Sequence, residues 1–188
     1  MARPSQEELE VKVSSQGADS FVSWYYQDLN DHRSLSPYYV NSSSKYTNAG
    51  ITADVTINGA HLTDPTEYEV LLDAQRGTTR ANGSDHNTRS GTNKVRYEVA
   101  SHDTQVLNND YGLACPEHIL SRGADRDGGR VSMLVTVMGV VHLGSGPDTQ
   151  HKRFHEVFVL VPNWDVRGRN AARNAKRFLI SSQNYRTL

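Results

Sequence analysis

The chain has 188 residues, enough for one domain with generous loops, and a formal net charge of -1. No global field therefore draws it to nucleic acid or to a membrane surface, and any basic function must be local. The single cysteine, Cys115, excludes an internal disulfide framework and a cysteine-built zinc site and fits a reducing compartment. The polar, acidic N-terminal stretch lacks the apolar segment of a signal peptide, and no apolar run is long enough to cross a membrane.

In chain order, Ser5-Gln-Glu-Glu8 is a capping-box pattern that starts a helix near residue 6. Ala18, Phe21, Val22, Tyr25 and Leu29 then recur at helical spacing, and Trp24 and Tyr26 broaden the stripe. A short helix or turn over 33–39 carries Leu35, Tyr38 and Tyr39, and a polar stretch from Asn41 follows. Residues 51–57 read as a short strand running into an Asn58-Gly59 turn. Asp64 caps the next helix, Pro65 suits its first turn, and Tyr68, Leu71 and Leu72 form its inward face.

Residues 76–93 are rich in Gly, Thr, Asn and Arg and read as a loop. Four strands are expected after it, over 94–107, 131–143, 154–161 and 177–186. The run from Val131 to Leu143 is the most telling. Side chains alternate across a strand. One face carries Val135, Val137, Gly139, Val141 and Leu143; the other carries Leu134, Thr136, Met138, Val140 and His142. Both faces are largely apolar. The chain's own helices can cover one, and a partner subunit is the economical cover for the other. Helices first and an antiparallel meander after make this an α+β chain, helices packed on one face of a curved sheet. The expected organisation is one domain over 1–188, with loop insertions at about 76–93, 108–130 and 163–176.

Metal and cofactor signals are weak. The eight histidines are scattered without ligand spacing. Asp125-Arg-Asp-Gly-Gly lacks the remaining positions of a calcium loop and reads as a turn. Gly144-Ser-Gly146 leads to Pro147 and a strand, not to the helix a phosphate site needs. No metal or cofactor is expected.

Taken in order, Phe21-Val-Ser-Trp-Tyr-Tyr26, Leu29, Arg33, Leu35, Tyr38-Tyr39, Tyr97-Glu-Val-Ala-Ser-His-Asp-Thr-Gln105, Val135-Thr-Val-Met-Gly139, Phe154-His-Glu-Val-Phe-Val-Leu160 and Asn184-Tyr-Arg186 resemble the nuclear transport factor 2-like family. Within it, the chain is similar to the small subunit of the fungal messenger-RNA export receptor. The resemblance implies a cone of helices on a strongly bent antiparallel sheet. It implies a non-catalytic subunit paired sheet-to-sheet with the nuclear transport factor 2-like domain of the large receptor subunit. It also implies contact with nucleoporins, directly or through that partner, and a nuclear, pore-associated, shuttling location. Under it, Thr136, Met138, Val157, Ser182, Asn184 and Arg186 face the partner, while Val135, Val137, Phe158 and Tyr185 line the cone. An arginine buried in an interface needs a carboxylate across it, so a partner acid is expected opposite Arg186.

Two alternatives belong to the same fold: a Ran-GDP carrier-type homodimer, and a cone-cavity dehydratase or isomerase. The second would need convergent titratable groups, with Asp54, His61, His102 and Asp103 as candidates. His102 and Asp103 are neighbours on a strand and point to opposite faces, which counts against it. Finally, Arg76, Arg80, Arg89 and Lys94 in one loop and Arg167, Arg169 and Arg173 in another are candidate RNA phosphate contacts. No aromatic residue interleaves the first loop, so base stacking is not expected there.

Overall fold

The computed structural model describes residues 5–77, 94–121, 130–144, 146–167 and 175–188. Helix α1, Gln6–Asn30, begins as its sequence requires: the Ser5 hydroxyl accepts from the Glu8 amide, and the Glu8 carboxylate accepts from the Ser5 amide at 2.7 Å. Ala18, Phe21, Val22, Tyr25, Tyr26 and Leu29 are buried, whereas Trp24 remains 37% exposed. Short 3-10 turns at Ser36–Tyr38 and Val40–Ser42 lead into helix α2, Ser44–Asn48, within the stretch read as merely polar. The anchor of α2 is Tyr46, fully buried, whose hydroxyl donates to the Pro162 carbonyl at 2.8 Å.

Strands β1, Asp54–Ile57, and β2, Ala60–Leu62, form a hairpin. Its two turn residues, Asn58 and Gly59, both have positive φ, the conformation an Asn-Gly hairpin turn demands. Helix α3, Pro65–Arg76, is capped by the Asp64 side chain on the Thr66 amide and stops at Gly77, which is left-handed. Tyr68 and Leu72 are buried, but Leu71 is 45% exposed and does not belong to the inward face. The reason is angular: Leu71 lies one residue from Leu72, about 100° around the helix and off the buried stripe.

The long strands are β3, Val95–Asn108, β4, Ser132–Leu143, β5, Gln150–Pro162, and β6, Phe178–Thr187; a one-turn helix α4, Glu117–Leu120, lies between β3 and β4. The sheet order is β2-β1-β6-β5-β4-β3. From β3 to β6 it is the expected antiparallel meander. The departure is at the other edge, where β1 pairs with β6 in parallel.

Packing follows the alternation in β4. Met133, Val135, Val137 and Val141 are at most 1% exposed, and across from them Phe158 sits beneath the rings of Phe21 and Tyr25 in α1. Gly139 belongs to this inner row. A Cβ there would lie 2.3 Å from the Glu98 carbonyl oxygen and 2.6 Å from the Phe154 ring. The neighbouring register shift in β3, between Val99 and Ser101, brings that carbonyl close.

Candidate partner interface

The sheet has an inner face, which packs on the helices, and an outer face. The outer face is built by strand register. Thr136 stands opposite Val157, and Val157 opposite Asn184. One row along, Met138, His155 and Arg186 align; on the other side Leu134, Val159 and Ser182 align. Thus Thr136, Met138, Val157, Ser182, Asn184 and Arg186, scattered over three strands in sequence, form one patch with Val157 at its middle. Leu134, Thr136, Val140, Val157 and Val159 are half-buried, and Met138 is 48% exposed. Leu134, Val140 and Val159 extend the apolar strip beyond the named candidates. Among the described residues Arg186, at the rim, makes no ion pair.

An apolar stripe of this length on a sheet face, flanked by polar groups, has the composition of a protein-protein contact rather than of solvated surface. The six candidates include no carboxylate that could pair with a base.

No protein-family model matches the chain, and no curated protein does. Solved structures do. A chain from a Sac3N peptide bound to Mex67:Mtr2 is 37% identical, with a TM-score of 0.79, over 93% of this chain and 99% of that one. A chain from the Chaetomium thermophilum Mex67 NTF2-like domain complexed with Mtr2 is 36% identical, with a TM-score of 0.78, over 93% and 98%. A structure of Mtr2 is 36% identical, with a TM-score of 0.76, over 93% and 99%. The chain belongs to the Mtr2 family.

The α+β, nuclear transport factor 2-like architecture expected from sequence is therefore that of the Mtr2 family, with a curled six-stranded sheet and helices on one face. The catalytic candidates do not enter its cone. His61 pairs with Asp54 at 3.3 Å on the exposed β1–β2 edge. His102 meets Asp19 of α1 at 2.9 Å, and Asp103 is exposed. Each is a surface group.

The acid inside the cone is one the candidates missed, Glu156, fully buried on β5 between Phe154 and Phe158. Its carboxylate accepts hydrogen bonds from the Tyr26 hydroxyl and, at 2.6 Å, from the Gln183 amide. Gln183 in turn accepts from Tyr39 at 2.5 Å and donates to the Tyr25 hydroxyl at 3.0 Å. A polar residue at an inward position of an otherwise apolar strand was the available signal. Burial among neutral partners pushes its carboxyl from the ordinary 4.5 up to about 7, against the lowering effect of the two hydrogen bonds. The folded state thus holds this proton more tightly than the unfolded chain. The stabilisation is complete below about 4.5, drains away as pH rises to about 7, and is constant above that. The loss is on the order of 3 kcal/mol. Urea midpoints of wild type and Glu156→Gln should therefore separate as pH rises: wild type loses stability between about pH 4.5 and 7, and the variant, which cannot ionise, lacks that component. Parallel profiles would refute it.

The basic candidates separate. Arg76 is not a loop residue: it closes α3, is 4% exposed, and its Nη2 donates to the Leu29 carbonyl at 2.6 Å. It is a core anchor, unavailable to phosphate. Lys94 is exposed at the foot of β3, and Arg167 lies 5.9 Å from the Trp164 ring. Arg80, Arg89, Arg169 and Arg173, and the expected turn at 125–129, lie outside the described residues.

Proposed function

We propose that this chain is the small, non-catalytic subunit of a messenger-RNA export receptor. It pairs through its outer sheet face with the nuclear transport factor 2-like domain of a Mex67-type large subunit. The observation that carries this is the half-open apolar row centred on Val157, in a chain 36–37% identical to Mtr2-family structures. Structures of related proteins include Mex67:Mtr2 complexes. The interface is of obligate type, roughly 2,000 Å² in total. One domain with insertions at about 76–93, 108–130 and 163–176 is the organisation that goes with this role. Neither the Ran-GDP carrier nor the cone-cavity enzyme gains support from a particular observation.

The test is light-scattering mass of the chain alone and co-expressed with the large subunit's domain. A clean one-to-one complex is expected; a stable homodimer indifferent to that domain would overturn the reading. Arg186 supplies a finer test. Arg186→Glu should weaken pairing at least about tenfold, and an acid-to-arginine change in the partner should restore it. Loss without rescue by any interface acid would remove the proposed ion pair.

Contact with nucleoporins, directly or through the partner, and shuttling through the nuclear pore follow from the same role. RNA contact is assigned to Arg80, Arg89 and Lys94 and to Arg167, Arg169 and Arg173, as sequence-independent phosphate binding. Charge reversal of the first three should lower RNA affinity of the assembled complex by about tenfold and flatten its salt dependence. An unchanged affinity in filter binding would dismiss the first loop.

A further inference from the structure

On the helix side of the sheet, away from the outer face, a hollow of about 520 Å³ lies between α1 and the segment entering β6. Its apolar floor is Val13, Phe21, Trp24 and Phe178. A second hollow of about 310 Å³ shares Trp24, Tyr38 and Lys176 with it and continues to Asp28 and Arg33. Together they make a trough along α1 from Val13 to Asp28. At 1.5 Å per helical residue that is about 22 Å, the length of six or seven extended residues. The shape fits a peptide better than a compact ligand.

Charge selects the kind of peptide. The acids along the trough are already engaged. Asp19 meets His102 at 2.9 Å, and Asp28 accepts from Arg33 at 2.9 Å and from the Tyr38 hydroxyl at 2.6 Å. On the opposite wall, which Arg167 also lines, two cations lack an ion pair among the described residues. Lys176 sits 4.3 Å over the Tyr38 ring, Arg177 is exposed, and among the described residues neither makes an ion pair. In the middle stands Trp24, 37% exposed although it is large and aromatic. Such a side chain beside two cations that make no ion pair among the described residues has the composition of a binding hot spot. We propose that this trough binds an extended acidic peptide carrying one bulky apolar side chain. The apolar residue packs on Trp24 and Phe21, and flanking carboxylates meet Lys176 and Arg177. The trough lies on the helix side of the sheet and the Val157 patch on its outer face, so the inference does not depend on the identity of the receptor partner.

The probe is a fluorescein-labelled heptapeptide, phenylalanine at its centre and glutamates on both sides, titrated into the full chain. Fluorescence anisotropy should give a Kd on the order of 10 µM, with a change in tryptophan emission from Trp24. Trp24→Ala and the pair Lys176→Glu, Arg177→Glu should each weaken binding by about tenfold or more. All three positions are surface side chains, and circular dichroism should show the fold unchanged. Binding should weaken as salt rises. Four results overturn the proposal. No binding up to millimolar peptide would show that the trough is not a peptide site. Equal binding by the variants would place the peptide elsewhere. Equal binding of a phenylalanine-glycine peptide without acids would remove the charge selection. Tighter binding of single-stranded oligouridylate, lost in the same variants, would assign the trough to RNA.

Discussion

Replacing Val157 by aspartate should abolish pairing with the large receptor subunit while leaving the lone chain folded. Val157 is half-buried on the outer face, opposite both Thr136 and Asn184. In the isolated chain an aspartate there stays in contact with water and costs little. In the complex it would be an ionised carboxylate in the apolar middle of the contact, with no designated cation. Arg186 is one row away on β6, aligned with His155 rather than with Val157. Desolvating an unpaired charge costs several kcal/mol, so affinity should fall by at least about a thousandfold. The comparison that gives the result meaning is Val135→Ala on the same strand pair but the inner face, where exposure is 0%. That change should lower stability by about 1–2 kcal/mol and leave affinity for the partner intact. Co-purification and thermal melts of both variants separate the two faces. If Val157→Asp pairs normally, the outer face is not the contact.

The second large effect is on folding. Gly139→Ala should destabilise the chain by at least about 3 kcal/mol, lowering its melting temperature by roughly 6–12 °C. The added Cβ would sit 2.3 Å from a backbone carbonyl oxygen, that of Glu98, and 2.6 Å from two carbons of Phe154. A flexible side-chain tip could yield; a carbonyl held in the β3–β4 ladder cannot without moving the strand. Gly146→Ala is the contrast. It has φ +80 but open space around its Cβ position, so only the left-handed backbone penalty of about 1 kcal/mol applies. Calorimetry of the two should show the larger loss at the residue with the ordinary backbone. Equal losses would mean that backbone conformation, not crowding, governs Gly139.

The features that could be read from sequence are those with local causes. The Ser5–Glu8 box, the Asp64 cap and the Asn58-Gly59 turn each involve residues within a few positions, and each formed as expected. Alternation in β4 is also local, and it placed Val135 and Val137 inward and Thr136 and Met138 outward. What escaped has distant causes. Nothing near Asp54 announces that β1 will lie parallel to β6. Tyr46 needs a carbonyl at Pro162 to make α2 a buried element. Arg76 reads as the first basic residue of a loop, yet the Leu29 carbonyl draws it into the core. The inward parity of Glu156 was legible in β5, but its partners Tyr26 and Gln183, far away in sequence, were not. For the candidate interface, alternation supplied β4, but grouping Val157 with Ser182, Asn184 and Arg186 required the family resemblance.

The place of β6 between β1 and β5 has a consequence for synthesis. Of the described strands it is made last, yet it joins the earliest hairpin to the meander. Until it emerges from the ribosome, β5 has an unpaired edge and β1–β2 has no sheet to join. Between the synthesis of β5 and that of β6 the nascent chain therefore presents an open strand edge beside an apolar outer surface, a combination prone to wrong pairing. That interval makes the chain a natural client for chaperones and for capture by a waiting partner.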